Sequence, residues 1–192
     1  IDNYLFSSYQ RLLDNLEFHL LGNHLLENAF SLLFGAYYFE SIDFYKKSEQ
    51  ILMNELDNQI LSDGGHFELS PMYHSIILHR ILDCIYLIKN NNSVLIRDKN
   101  LYNKLVDKVI LMLSWLESIS YKNSDIPHFN DSADGIALNP KKLFYYANSN
   151  GLEWTQSKLN ESGYRKFYND NYEFIIDVGP MGPDYLLGHS HS

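Results

Sequence analysis

Between two apolar runs stands Asp63-Gly64-Gly65-His66-Phe67-Glu68-Leu69-Ser70-Pro71-Met72-Tyr73-His74, a stretch that combines turn residues with two imidazoles, carboxylates and a phenol. Asp63-Gly64-Gly65 suits a tight turn with positive φ, and Ser70-Pro71 has the form of an N-cap followed by proline at the first helical position. Tyr73 and His74 then fall in the first helical turn. Unpaired backbone N–H groups and the positive end of the helix dipole favour an anion there: a carboxylate, a developing enolate or a phenolate. Chemistry on an acidic substrate fits this arrangement. A helix-connecting turn in which the same side chains serve as polar caps fits it as well.

Two further groups could do chemistry. Asn23, His24, Glu27 and Asn28 are polar residues in an otherwise apolar run, and the spacing puts His24, Glu27 and Asn28 on one helical face. Buried polar groups without partners cost roughly 1 to 3 kcal/mol each, so these four imply either a mutual network or a polar cavity. Near the carboxyl end, His189-Ser190-His191 alternates, which on a strand turns both imidazoles to one face and could serve metal ligation. Two ligands fall short of the three or four that zinc takes.

Helices must position most of these groups. Leu5, Tyr9, Leu12, Leu13, Leu16 and Leu20 recur at three and four, predicting an amphipathic helix from about Tyr4 to Leu21, interrupted at Gly22. A second helix from about Asn23 to Glu40 is apolar around much of its circumference and should be buried. A third spans about Asp43 to Leu61, with Ile51, Leu52, Leu56 and Ile60 inward. The fourth runs from Ser70-Pro71 to about Lys89, and the fifth from about Asn100 to Ser120, after the polar break at Asn90 to Ser93. Helices with short connections suggest stacked hairpins. A long polar loop containing His128-Phe129-Asn130-Asp131 has no helical period, as loops kept for function often do not. Pro140 to Ala147 suggests a short helix. From Ser162 the pattern turns to β, with Tyr164 to Tyr168 and Tyr172 to Val178 flanking Asn169-Asp170-Asn171 as a hairpin would. A lone hairpin is marginal in water, so this reads as the opening of a larger sheet. The expected division is a helical part over residues 1–158 and the start of a β domain over 159–192.

The 192 residues include 45% hydrophobic side chains, enough for a real core, and carry a formal charge of −9. That charge argues against nucleic acid or an anionic membrane surface as partner, and an acidic ligand must meet a local positive patch. Cys84 is the single cysteine and lies in an apolar run, so a buried structural thiol is expected. No run reaches the roughly 18 apolar residues of a membrane span. Ile1-Asp2-Asn3 is neither a methionine start nor a signal peptide, so the chain looks cut from a longer one.

Four motifs in order, Gly22-Asn23-His24-Leu25-Leu26-Glu27-Asn28, the stretch Gln59 to His74, Phe129-Asn130-Asp131, and Asp177-Val178-Gly179-Pro180 with Gly188-His189-Ser190-His191, resemble the heparinase II/III-like polysaccharide lyases. The resemblance extends over nearly the whole chain. It implies a mostly α fold with a C-terminal β portion: part of an (α/α) toroid of helical hairpins, then the first strands of an antiparallel β-sandwich. It also implies β-elimination on a uronic-acid-containing polysaccharide, in which the C5 proton leaves and the bond to O4 breaks. That chemistry needs a neutralised carboxylate, a base for C5–H and an acid for O4. By the resemblance, Asn23 and His24 match the pair facing the carboxylate and Tyr73 the catalytic acid/base. His189 matches a second base from the sandwich side. Glu27, His66, Glu68, His74 and Asn130 are expected at the substrate. No cofactor is required for catalysis, and His191 resembles a ligand of a structural zinc whose other ligands this chain does not contain. The implied partner is an acidic polysaccharide, and the implied compartment is periplasmic or extracellular.

The 15 tyrosines suit both stacking on sugar rings and core packing. Two other readings stand beside the lyase: a non-catalytic carbohydrate-binding scaffold in envelope or capsule glycan assembly, and a metal-dependent hydrolase built on His189 and His191.

Overall fold

The structure, a computed structural model, describes residues 1–20, 22–91, 93 and 99–180. Among these residues, six helices and two strands follow in order: α1 (Asp2–Asp14), α2 (His24–Phe39), α3 (Ile42–Gln59), α4 (Pro71–Asn90), α5 (Asn100–Ile119), α6 (Pro140–Ser149), β1 (Tyr164–Tyr168) and β2 (Glu173–Asp177). Among the described residues α2 to α5 lie where the apolar period puts them, and α6 lies where a short helix is expected from Pro140. Caps set several ends. Ser70 Oγ accepts the Tyr73 backbone N–H at 3.3 Å ahead of α4, and Asn139 Oδ1 accepts the Lys141 N–H at 2.9 Å ahead of α6, with Pro140 at its first position. No helix among the described residues is long and apolar enough to cross a membrane.

The first helix is shorter than its periodicity predicts, ending at Asp14 rather than near Leu21. Asn15 leaves helical geometry at φ −129°, and its side chain donates to Arg11 O. Glu17 is then held from outside the helix: its backbone N–H donates to Asn28 Oδ1, and its Oε2 accepts from Asn28 Nδ2, both at 2.9 Å. These two tertiary bonds outweigh the small propensity gain of another helical turn. No residue of α1 is fully buried, so its apolar stripe is only partly covered.

Two compact units divide the chain, one of residues 1–58 and 83–105, the other of residues 59–82 and the described residues from 106 onward. In the first, Phe6 and Tyr9 of α1 meet Phe39 and Phe44, with ring centroids 5.2 to 5.7 Å apart. Phe44 is fully buried, as are Leu26, Leu32, Leu33, Leu52 and Leu56, and Ser48 Oγ donates to Ala29 O at 2.8 Å. Cys84 is a buried thiol.

The second unit is built around Trp115, which has no exposed surface. Its ring lies 4.4 Å from the His74 imidazole and 5.8 Å from the Tyr164 ring, and its Nε1 donates to Ser162 Oγ at 2.9 Å. β1 and β2 pair antiparallel, from Tyr164 opposite Asp177 to Tyr168 opposite Glu173. One face carries Tyr164, Lys166 and Ile175 inward, with Lys166 Nζ 2.7 Å from Glu173 Oε1. The other leaves Phe167, stacked on Phe174 at 5.1 Å, and Ile176 exposed. Gly163, at φ +80°, brings the strand start against the chain after β2; a Cβ there would lie 2.0 Å from Gly179 Cα. The last helix ends at Ser149 and the first strand begins at Tyr164.

Candidate active site

The turn ahead of α4 closes on itself before it meets anything else. Ile60 bridges His66, Phe67 N–H donates to Gln59 O at 2.8 Å, and Leu61 N–H donates to Gly65 O at 2.9 Å. At its tip Gly64 has φ +94°, and a Cβ would lie 2.1 Å from Leu111 O, so both the turn and the close approach require glycine. Asp63 is buried, yet its carboxylate is saturated. Oδ2 accepts from Asn160 N, Ser162 N and Ser162 Oγ at 2.7 to 3.0 Å, and Oδ1 accepts from Gly65 N at 3.2 Å. Buried carboxylates are tolerated where donors replace water in this way.

His66 and His74 lie under this turn. His66 is 1% exposed and His74 is 0% exposed. The His66 backbone N–H donates to His74 Nδ1 at 3.3 Å, which puts the His74 proton on Nε2, 3.1 Å from Met112 O. His66 Nε2 lies 3.2 Å from Gln59 Oε1 and donates to it, leaving His66 Nδ1 a buried lone pair without a protein partner. Desolvation, then the neighbouring His74, lowers the His66 pKa to about 3; desolvation likewise lowers His74 to about 3 against the Met112 hydrogen bond. Both rings are therefore neutral at neutral pH, in a supporting position within the fold. Glu68 is also buried.

Three residues in left-handed geometry form the next layer: Leu69 at φ 57°, Asn130 at 50° and Asp131 at 60°. Asparagine and aspartate tolerate this region, whereas leucine occupies it at a cost, which marks a backbone determined by its surroundings. The surroundings are visible. Leu69 O accepts the Tyr164 hydroxyl at 2.5 Å and Asn130 Nδ2 at 3.0 Å, and Asn130 Nδ2 also lies 3.1 Å from Tyr164 Oη and 3.2 Å from Asp177 Oδ2. Burial, reinforced by the Asp177 charge, raises the Tyr164 pKa, so this phenol stays a donor. Ser132 Oγ contacts Ser70 Oγ at 3.0 Å and accepts the Met72 N–H at 3.1 Å. The motif Phe129-Asn130-Asp131 thus fastens the backbone on which α4 begins, and Tyr73, half-buried in its first turn, is presented by that frame.

In the first unit, Asn23 stands at the N-cap of α2 without a side-chain cap bond, its carbonyl accepting from Glu27 N at 3.0 Å. His24 is exposed, with Nδ1 3.8 Å from Glu17 Oε2, and Glu27 is half-buried. The polar face expected on α2 therefore meets Glu17, which the predicted extension of α1 concealed. Of the expected site residues, the second unit gathers His66, Glu68, Tyr73, His74 and Asn130, and the first holds Asn23, His24 and Glu27. His189 and His191 lie outside the described residues. Among the described residues no group of three or more His, Cys, Asp or Glu could hold a metal ion. Asp63, marked in the sequence only as a turn residue, and Ser162, Trp115 and Tyr164, not marked there as site residues, complete the frame. Only the Tyr164 alternation hinted at an inward role, and Ser162 gave no signal.

A mostly helical chain with a C-terminal antiparallel strand pair, and a polar loop frame built around the head of one helix, defines an α-rich scaffold joined to a β element. The chain matches the Heparinase II/III N-terminus family over residues 3–154 and belongs to it. It is similar to a heparin-sulfate lyase of Pedobacter heparinus, 31% identical over 132 residues that make up 66% of this chain and 19% of that protein. A second heparin-sulfate lyase, from Bacteroides stercoris, is 27% identical over 116 residues, 58% of this chain and 17% of that protein. Among solved structures, a heparinase III aligns with TM-score 0.68 at 22% identity, covering 92% of this chain and 31% of that one. A heparan sulfate lyase from Pedobacter heparinus aligns with TM-score 0.63 at 22% identity, covering 93% and 31%. These alignments bear out the expected fold class, part of an (α/α) toroid followed by the first strands of a β-sandwich. The chain spans about a fifth of the length of the curated relatives it matches.

Proposed function

We propose that the protein containing this chain is a polysaccharide lyase that cleaves an acidic, uronic-acid-containing polysaccharide by β-elimination. The observation that carries the reading is Tyr73 in the first turn of α4, its N–H fixed by Ser70 and its helix start held by Ser132, within a chain of the heparinase II/III family. A phenol so held can be kept in line with a leaving oxygen, and preorganisation of this kind is a large part of catalysis.

In the proposed reaction Asn23 and His24 neutralise the uronate carboxylate, making C5–H acidic. A base, His189 or the Tyr73 phenolate, takes the C5 proton. The C–H electron pair becomes the C4=C5 double bond, the C4–O4 bond breaks with its pair on O4, and the Tyr73 phenol supplies the proton that O4 needs. His66 and His74, neutral and buried, keep the loop shape rather than move protons. No step passes through a metal; a structural zinc held by His191 remains an implication of the resemblance, as does a periplasmic or extracellular location.

The test is incubation of the full-length protein with polymers of glucuronate, iduronate, mannuronate and guluronate, following absorbance of the 4,5-unsaturated product. Turnover on at least one, abolished by Tyr73→Phe with ligand binding kept, is the expected result. Absence of product from every polymer removes the lyase reading and leaves a carbohydrate-binding scaffold.

A further inference from the structure

Downstream of Tyr73 on α4, a cavity of about 550 Å³ opens within the second unit. Its lining brings Ile76, His79 and Arg80 of α4 opposite the loop around Asp125 and Asp134 and the start of α6 at Lys142. The volume falls in the range of sites that enclose small ligands. Ile76 and Arg80 lie three and seven residues after Tyr73, hence on the same side of the helix, with Arg80 roughly 10 Å further along its axis. A polysaccharide strand engaged at Tyr73 and following α4 would bring its neighbouring sugar units into this space.

The chemistry of the lining suits such a unit. Apolar walls from Ile76, Ile126, Ile136 and Leu138 match the C–H faces of a pyranose ring. Asp134, whose Oδ1 lies 3.0 Å from His128 Nε2, and Asp125, whose Oδ2 accepts from Asn123 Nδ2, each keep a second carboxylate oxygen that can accept from sugar hydroxyls. Arg80 and Lys142 supply positive charge from two different helices in a chain of net charge −9. The planar arginine fork matches a carboxylate or sulfate with paired hydrogen bonds, which a lysine point charge alone does not provide.

We propose that this cavity is a recognition subsite for an acidic sugar unit neighbouring the one that reacts, with Arg80 and Lys142 binding its carboxylate or sulfate and Asp125 and Asp134 its hydroxyls. The inference rests on the lyase reading for the position of the reacting unit. Its test therefore measures binding as well as turnover.

Full-length wild type, Arg80→Gln and Lys142→Gln would be compared on defined oligosaccharides that keep the reacting uronate and differ at its neighbours: fully charged, desulfated, or carboxyl-reduced. Arg80→Gln is expected to raise KM for the charged oligosaccharide by about tenfold, the scale of one lost charge-assisted contact. The effect should shrink on whichever neutralised oligosaccharide lacks the recognised anion, which identifies sulfate or carboxylate as the ligand. Calorimetric Kd values in the Tyr73→Phe background should move in parallel. Equal losses on charged and neutralised oligosaccharides, or no loss from either substitution, would overturn the subsite. If wild type yields no unsaturated product, the lyase reading fails, and the Kd comparison still decides the cavity: selective loss in Arg80→Gln upholds a glycan site, and unchanged Kd removes it. A wild type that binds none of the oligosaccharides overturns both proposals.

Discussion

His66 and His74 share one hydrogen bond and one fate: neither can take a proton without losing a partner or charging a dry interior. Their folded pKa values of about 3 lie well below the unfolded value near 6.5, so between those limits the unfolded chain binds more protons than the folded one. Stability is therefore full above about pH 6.5 and falls as pH drops toward 3, by up to about 1.4 kcal/mol per pH unit for each ring. Urea midpoints measured between pH 6.5 and 5, above the range where most carboxylates titrate, should decline steadily. A flat profile would mean that the imidazoles are protonated as readily in the folded protein as in the unfolded one. Glu173 acts lower on the scale. Burial works against its charge, but the Lys122 backbone N–H and the Lys166 ammonium outweigh it and hold the carboxyl below its usual range, so its contribution disappears only at more acidic pH.

Helix ends carry their own tests. Asn139→Ala removes the acceptor for the Lys141 N–H, and α6 should lose about 1 kcal/mol, readable as a small fall in Tm. At the turn before α4 the expected effect is much larger. Gly64→Ala combines φ +94° with a Cβ placed 2.1 Å from Leu111 O, and a loss of about 3 kcal/mol or more should follow. An alanine variant as stable as wild type would show that the turn can open without consequence for the fold. α1 teaches the complementary lesson. Its periodic leucines continue past Asp14, but Asn28, on another helix, captures Glu17 and ends the helix.

On the scale of the molecule, Asp63 joins parts of the chain 97 and 99 residues apart through Asn160 and Ser162. Asp63→Ala would leave the buried Ser162 donors and the part-buried Asn160 N–H without their acceptor and should cost about 3 kcal/mol, seen as a lower unfolding midpoint in the full-length protein, whereas Asp63→Asn should show only part of that loss by keeping an acceptor. Wild-type stability in the alanine variant would show that water replaces the carboxylate freely.

Read from the sequence alone, the helices, the β-hairpin, the Ser70 cap, the Gly64 turn and the family motifs were all accessible, because each rests on local rules of periodicity, capping and backbone freedom that act over a few residues. What tertiary structure decided is partnership. That Asn28 holds Glu17, that Asn130 and Tyr164 converge on Leu69 O, that His66 and His74 are buried and neutral, and that Arg80 shares a cavity with Lys142 all depend on how separate segments pack together. No local pattern encodes such contacts, since burial and charge are properties of the packed surroundings rather than of the residue that experiences them.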